Sequence, residues 1–371
     1  MEGLQSSISE HGSTSLGDKK PRLKFIDLAR TIAILMMLEG HFIGTTLGDA
    51  HLYEGHPIYE TWHWIKGITA PLFLTVSGLI FSYLLLGDKE PSFFKKKRVT
   101  KGLKRASILL LIGYVIQLSI SRTPQYLAGD MGSWIYNFHI LQCVAIGLII
   151  LIGMMWISHT FKKIPIYVCY IIGIIFLITL RAYLLGLPDQ KYFPEGFPVI
   201  IQNAFKGPSS QFPIAPWISF VLVGAILGSY LRLNPKSQQS SWWLFASAII
   251  LYKIRLVILP QFPSQPHMRE VISWFSYRGG QVLFIISLLR WIELHRGIHA
   301  KHFLKIGQET FAIYVFHVII LYGGFFGIGI NTYASKALSP WQAVIGAILF
   351  ILFHAAFGIW WGHRKSKAKL A

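Results

Sequence analysis

Four ionisable side chains stand inside the first apolar stretch of the chain, DLARTIAILMMLEGHF, residues 27–42: Asp27, Arg30, Glu39 and His41. Lipid tolerates such groups only with compensation, so an ionisable residue within a membrane is read by default as functional. On a helix, Asp27, Arg30, Ile34, Met37 and His41 are spaced 3, 4, 3 and 4 apart and share one face. Asp27 and Arg30, at i and i+3, can pair near one membrane surface. His41 lies ~21 Å further on at 1.5 Å per residue. Histidine is the side chain best suited to moving protons near neutral pH, and in a polar cavity it could deprotonate a hydroxyl or an amine. Glu39 points ~200° away from His41 around the helix, toward another element. The plainer reading is an ion pair at a helix end with an interfacial histidine.

Further candidates lie downstream. His317 sits in IGQETFAIYVFHVIIL, near the middle of an apolar segment, three residues after Tyr314; it is a better candidate than His354 or His139. Arg181, Lys253, Arg255 and Arg278 fall in apolar segments without four matching acids, which fits either a cationic vestibule for an anionic acceptor or bonding to carbonyls and lipid phosphates. His51, His56 and His63 share one loop with Asp49, Glu54 and Glu60, but the spacing matches no specific metal site, and no metal is expected. Pro213, Pro216 and Trp217 form a rigid helix start that could wall a cavity. The basic cluster PSFFKKKRVTKGLKR supplies Lys97, Arg98, Lys101, Lys104 and Arg105, either as a topology signal on anionic headgroups or as a dock for a phosphate-rich donor.

The elements that must position these residues are membrane helices. The chain has 371 residues, 53% hydrophobic and 14% charged, and a mean hydropathy of +0.50; a soluble domain would carry about 25% charged residues. About 20 apolar residues cross a bilayer core, and ten such segments are expected: 25–47, 66–86, 103–121, 134–157, 164–185, 213–231, 241–259, 270–292, 304–326 and 339–362. Alternating ten-residue segments, the mark of a barrel, are not seen. The net charge of +19 does not point to nucleic acid, because the basic residues sit in short loops between apolar segments. Alternate loops and both tails hold 24 Lys and Arg, and the opposite loops hold six, so both termini are expected to be cytoplasmic. The fold expected is an all-α polytopic transmembrane bundle. Residues 1–24 read as a disordered tail, 25–363 as the membrane domain and 364–371 as a basic tail. Cys143 and Cys169 both fall in apolar stretches and read as packing residues.

At this point the motifs resemble a known group. Asp27, Arg30 and His41 match the first-span signature of integral membrane acyltransferases, an Arg and a His separated by ten residues with an Asp three before the Arg. Four blocks resemble bacterial relatives of heparan-α-glucosaminide N-acetyltransferase: the first span ending in Glu39-Gly40-His41, WHWIKGITAPLFLTVSGLIFSYL (62–84), FPIAPWISFVLVGAILG (212–228) and IGQETFAIYVFHVIIL (306–321). The last block departs from the pattern, with Gln308-Glu309 where relatives often carry Arg and a small residue. Human-type members have Asn where His41 stands and their active histidine in the following outer loop, which makes His63 a rival base. The resemblance implies acyl transfer, with acetyl the expected group, from cytosolic acetyl-CoA or another acyl-CoA to a sugar, glycan or lipid-linked acceptor across a bacterial inner membrane.

The mechanism expected from this places the donor's phosphates on the inner-loop Lys and Arg and its arm past Arg30, which Asp27 holds. His41 acts as base, tuned by Glu39, while His317 and Tyr314 steady the thioester oxygen. His63, Trp217, Arg278, Tyr314, Arg181 and Arg255 are the expected acceptor contacts. Membrane lipids are expected partners, and a homodimer is one candidate assembly. The rival class is a transporter or flippase for an anionic small molecule or lipid; a third reading is a membrane sensor without chemistry.

Overall fold

The structure, a computed structural model, describes residues 23–368 apart from 53–54, 131, 188–192, 195 and 208–209. Residues 1–22 of the tail expected at 1–24, residues 369–371 of the tail expected at 364–371, and Glu54 of the histidine-rich loop lie outside the described residues. Fifteen α-helices run through the described residues, with two isolated bridges and no strand. They are α1 (Lys24–Thr46), α2 (Pro57–Lys66), α3 (Thr69–Leu85), α4 (Lys97–Val115), α5 (Thr123–Leu127), α6 (Ile140–Thr160), α7 (Ile166–Gly186) and α8 (Val199–Phe205). There follow α9 (Ile214–Leu233), α10 (Trp242–Ile258), α11 (Pro266–His295), α12 (Lys301–Gln308), α13 (Thr310–Tyr322), α14 (Ile330–Ala334) and α15 (Pro340–Lys367).

Seven helical stretches are long and apolar enough to cross a membrane, and up to nine if each of two bent pairs is one span. The bent pairs are α4 with Ile120–Leu127, at 51°, and α12 with Thr310–Phe326, at 72°. The sequence led us to expect ten. The difference is α1, which has 23 residues and is ~34 Å long, but whose Asp27, Arg30, Glu39 and His41 lower its hydropathy. The molecule is an apolar helical bundle of integral-membrane type.

Packing explains why α1 can carry these groups. One set of its residues, including Phe25, Ile26, Ala29 and Ala33, joins the larger core with α3, α4, α6, α7, α9 and α11. Another set, Ile34, Leu38 and Phe42, joins a smaller core with Ile313 and Leu321 of α13 and Ala347 and Phe350 of α15. The helix is therefore a seam between two packed bodies, and its polar side chains face protein rather than lipid. The larger core is tightened where α3 crosses α9. A Cβ at Gly78 would overlap the Val221 carbonyl, and one at Gly224 the Thr75 carbonyl. Small residues at such crossings let backbones touch.

Candidate active site

At one end of the seam His41 meets α13. Its Nδ1 lies 3.0 Å from Nε2 of His317, and the two rings stack with centroids 5.2 Å apart. His317 is fully buried, and Tyr314, one turn earlier, meets its ring edge-on at 4.9 Å. Tyr322 closes the group 6.0 Å from the His41 ring and accepts a hydrogen bond from Thr45 at 3.3 Å. His41 opens into a chamber of about 460 Å³. Its polar lining includes Gln117, Asn137, His139, Gln142, Gln211, Tyr314, Tyr322 and Asn331, with Arg122 and Trp134 also on the wall. The opposite side of His41 borders a mostly apolar neck of about 160 Å³, walled by Ala33, Ile34, Met36, Met37, Ala70, Phe73, Ile140 and Phe212, with Lys66, Thr69, His139, Gln211 and Tyr314 as its polar members.

At the other end of α1, Asp27 and Arg30 border a basic pocket of about 680 Å³ that also takes in Asp88, Lys97, Arg98, Lys101, Arg105 and Arg232. A smaller cavity of about 110 Å³, lined by Arg30, Ser77, Val144 and again Arg98, Lys101 and Arg105, extends it along the helix. Arg30 is held twice: its guanidinium donates to Thr310 Oγ1 at 2.8 Å and stands 4.0 Å from the Asp27 carboxylate. Thr310 opens α13 at the 72° bend, and Glu309 in the bend pairs with Lys365 of α15 at 3.3 Å. The departure at Gln308-Glu309 thus has a partner in this chain. Asp88 accepts the backbone N–H of Arg98 at 3.1 Å, which fixes the first turn of α4 and hence its basic face. Partial desolvation pushes the Asp88 carboxyl up, but the backbone N–H groups of Arg98 and Glu90 and the charges of Lys96 and Arg98 hold it below its ordinary range.

The basic end and the neck are close. Arg30, Ser77 and Val144 line the small cavity; Ala33, Phe73 and Ile140 line the neck. On all three helices the step is three or four residues, one turn of ~5.4 Å. One face of α1 therefore runs from the basic pocket to an imidazole pair, as its spacing predicts.

Several expected site residues lie elsewhere. Glu39 does not reach His41; it accepts the Trp62 indole N–H at 2.6 Å and ties α2 to α1. Lys66 lies 4.7 Å from the Trp62 ring centroid, and its stem runs over Gly40, where a Cβ would come within 3.2 Å of Lys66 Cγ. His63 is exposed against the Tyr59 ring. Trp217 packs in an aromatic cluster with Phe212 and Trp274. Arg278 donates to the Trp64 carbonyl at 2.9 Å, capping the end of α2, and Arg255 stacks on Tyr252 with its centroid distance at 4.8 Å. Neither borders the chamber, nor does Arg181. Lys104 is exposed and apart from the basic pocket. Among the described residues no group of three His, Cys, Asp or Glu is placed to hold a metal ion. The uncharged amides Gln117, Asn137, Gln142 and Gln211, together with Arg122, were not anticipated. Their signal was present as Gln and Asn in or beside apolar segments, but a search for ionisable groups passes over it.

A membrane bundle whose central helix carries an Asp–Arg pair at one end and a histidine in contact with a second, buried histidine at the other has the build of a transmembrane acetyltransferase. The family model described as "Heparan-alpha-glucosaminide N-acetyltransferase, catalytic" matches residues 22–257, and the chain belongs to that family. No curated protein matches the chain in sequence. The family as a whole uses acetyl-CoA as donor and a sugar as acceptor. The basic pocket suits such a donor: six cations face two carboxylates there, and guanidinium and ammonium groups are the usual partners of phosphate.

Proposed function

We propose that this protein transfers an acyl group, acetyl in the first instance, from cytosolic acyl-CoA to a sugar-type acceptor on the far side of a bacterial inner membrane. On this reading α1 is the tenth span and both termini are cytoplasmic. The observation that carries it is the hydrogen-bonded His41–His317 pair placed where the apolar neck meets the polar chamber.

Arg98, Lys101, Arg105 and Arg30 hold the donor's phosphates. When bound, acyl-CoA supplies an activated thioester, and its pantetheine arm matches in order of length the ~21 Å rise from Asp27 to His41. The neck gives a thin, flexible chain an apolar sleeve and excludes water from the thioester.

His41 is the general base. With its Nδ1–H donated to His317 Nε2, its own Nε2 keeps a lone pair facing the chamber, where the acceptor's proton is taken. His317 is a positioning residue: it fixes ring orientation and tautomer, as the third member of a triad does. This replaces the expectation that it steadies the thioester oxygen; the Tyr314 hydroxyl, on the chamber wall beside His41, is the donor better placed for that. Glu39 anchors α2.

The test is thioester consumption by purified protein in proteoliposomes loaded with acceptor. Acyl transfer requires free CoA to appear in step with acylated acceptor. Movement of substrate with the thioester intact would instead establish the transporter reading.

A further inference from the structure

We propose that Lys66 is a catalytic residue of the transfer: its ammonium donates a hydrogen bond to the thioester oxygen as the tetrahedral intermediate forms, beside the Tyr314 hydroxyl. The inference rests on the acyl-transfer reading above and adds a residue which that reading does not use. It holds for oxygen and nitrogen acceptors alike.

Three helices place Lys66. It is the last residue of α2, one turn after Trp62, whose indole N–H is bonded to Glu39 of α1. Arg278 of α11 fixes the same end of α2 through the Trp64 carbonyl. From there the side chain turns onto α1. A Cβ at Gly40 would stand 3.2 Å from Lys66 Cγ, and one at Gly44 would stand 3.1 Å from Lys66 Nζ. Two glycines one turn apart thus leave a trough that the lysine stem fills. Gly40 and Gly44 lie ~100° and ~60° to the same side of His41 around the helix. The ammonium therefore comes alongside His41, and Lys66, His41 and Tyr314 all line the neck.

The charge of Lys66 is uncommitted. Its ammonium lies 4.7 Å from the Trp62 ring centroid, and among the described residues it has no hydrogen-bond or ion-pair partner. Glu39 acts on it only through the longer-range field of its carboxylate. The other lysine that reaches this part of α1 is fully engaged: Lys336 donates to the Gly44 carbonyl at 3.2 Å and pairs with Asp49 at 3.1 Å. Among the described residues that line the neck there is no Asp or Glu. A cation in a mostly apolar wall is costly, and that cost marks a functional group.

The neck is where the thioester arrives on the acyl-transfer reading. Attack on its carbonyl carbon moves an electron pair onto oxygen. A cation already fixed there, in a site poor in water, stabilises that charge more than the neutral carbonyl that precedes it. The step balances without further reactants. The acceptor oxygen or nitrogen bonds to the carbonyl carbon, and the C–S bond breaks as the oxyanion collapses. The acceptor proton passes through His41 to the leaving thiolate, and Lys66 keeps its own protons throughout.

The experiment uses the full chain in nanodiscs, with methyl glucosaminide and methyl glucoside together as acceptors and either acetyl-CoA or fluoroacetyl-CoA as donor. Fluorine withdraws electrons from the carbonyl, so its oxyanion depends less on an outside donor. Lys66→Met should lower kcat with acetyl-CoA by about 10²–10³-fold, the usual loss of one oxyanion donor, and leave the donor KM within about threefold. The loss with fluoroacetyl-CoA should be about tenfold smaller. Gly44→Ala keeps the charge but displaces the ammonium by a few tenths of an ångström. It should lower kcat several-fold with the same dependence on the donor, and it carries the test if Lys66→Met fails to fold. Equal losses with both donors, a loss confined to KM, or full activity in Lys66→Met overturns the assignment while leaving acyl transfer standing. No thioester consumption by the unsubstituted chain with either donor removes the acyl-transfer reading and this inference with it.

Discussion

The two ends of α1 are both polar, but in different ways. The basic pocket sets six cations, several on one face of α4, against Asp27 and Asp88. The His41 chamber sets five amides (Gln117, Asn137, Gln142, Gln211 and Asn331), two imidazoles and two phenols around about 460 Å³, with one guanidinium on its wall. Ammonium and guanidinium groups on long side chains attract at a distance and tolerate misplacement. Amides and imidazoles act only at contact and in one direction. The first end suits a multiply charged anion, and the second suits a ligand held by directional polar contacts.

Substitutions can break this contrast, in order of expected size. His41→Ala should lower turnover by about 10²–10⁴-fold, the usual contribution of a general base, with binding of the donor to the basic pocket unchanged by calorimetry. Full activity in purified His41→Ala, or loss confined to His63→Ala, would move the base to α2. Arg98→Ala combined with Lys101→Ala should raise the KM for acetyl-CoA by about 10–100-fold, one to two lost charge-assisted bonds. The effect should shrink at high salt and leave kcat nearly intact; an equal fall in kcat would mean that the two ends are not separable. His317→Ala should cost about tenfold in kcat by loosening the ring of His41, and His317→Asn should recover part of it with an altered pH–rate profile. A variant that only lost stability would leave the pH profile of the remaining activity untouched. Gly113→Ala should raise the acceptor KM several-fold and cost about 1–3 kcal/mol of stability through overpacking against Gln142, without changing the donor KM. The smallest effect is expected for Glu39→Gln. The amide keeps an oxygen for the Trp62 indole, so activity within about twofold, one hydrogen bond's net contribution or less, separates an anchor from a tuned acid.

The same contrast explains what could be read from the chain. The 3-4-3-4 spacing of Asp27, Arg30, Ile34, Met37 and His41 placed one face of α1 correctly, because helical periodicity is local and the helix is uninterrupted between them. Four of the five basic residues of α4 were found at their pocket, since a cluster at i, i+1, i+4 and i+8 must share a face. The meeting of His41 with His317 was not legible in this way. The two lie 276 residues apart, and only the packing of α13 on α1, bent at Glu309–Thr310, brings them into contact. Arg181, Arg255 and Arg278 misled for the opposite reason: each has the right charge and depth, yet Arg278 is used up by the Trp64 carbonyl and Arg255 by the rings of α10 and α11. The amide wall escaped notice because Gln and Asn carry no charge, and their signal is burial, which the sequence does not print.

The neck between the two ends has an electrical meaning. Two water-accessible, polar cavities that approach each other within a turn or two of α1 leave little low-dielectric material between them. If the bundle spans the membrane as proposed, the transmembrane voltage falls mainly over that short plug of Ala33, Ile34, Met37 and Phe73, not over the full bilayer thickness. One elementary charge crossing it exchanges about 2.3 kcal/mol per 100 mV with the membrane. On that arrangement a narrow, mostly apolar plug resists hydrated ions while a flexible uncharged arm fits it, and the two ends are joined chemically without being joined electrically.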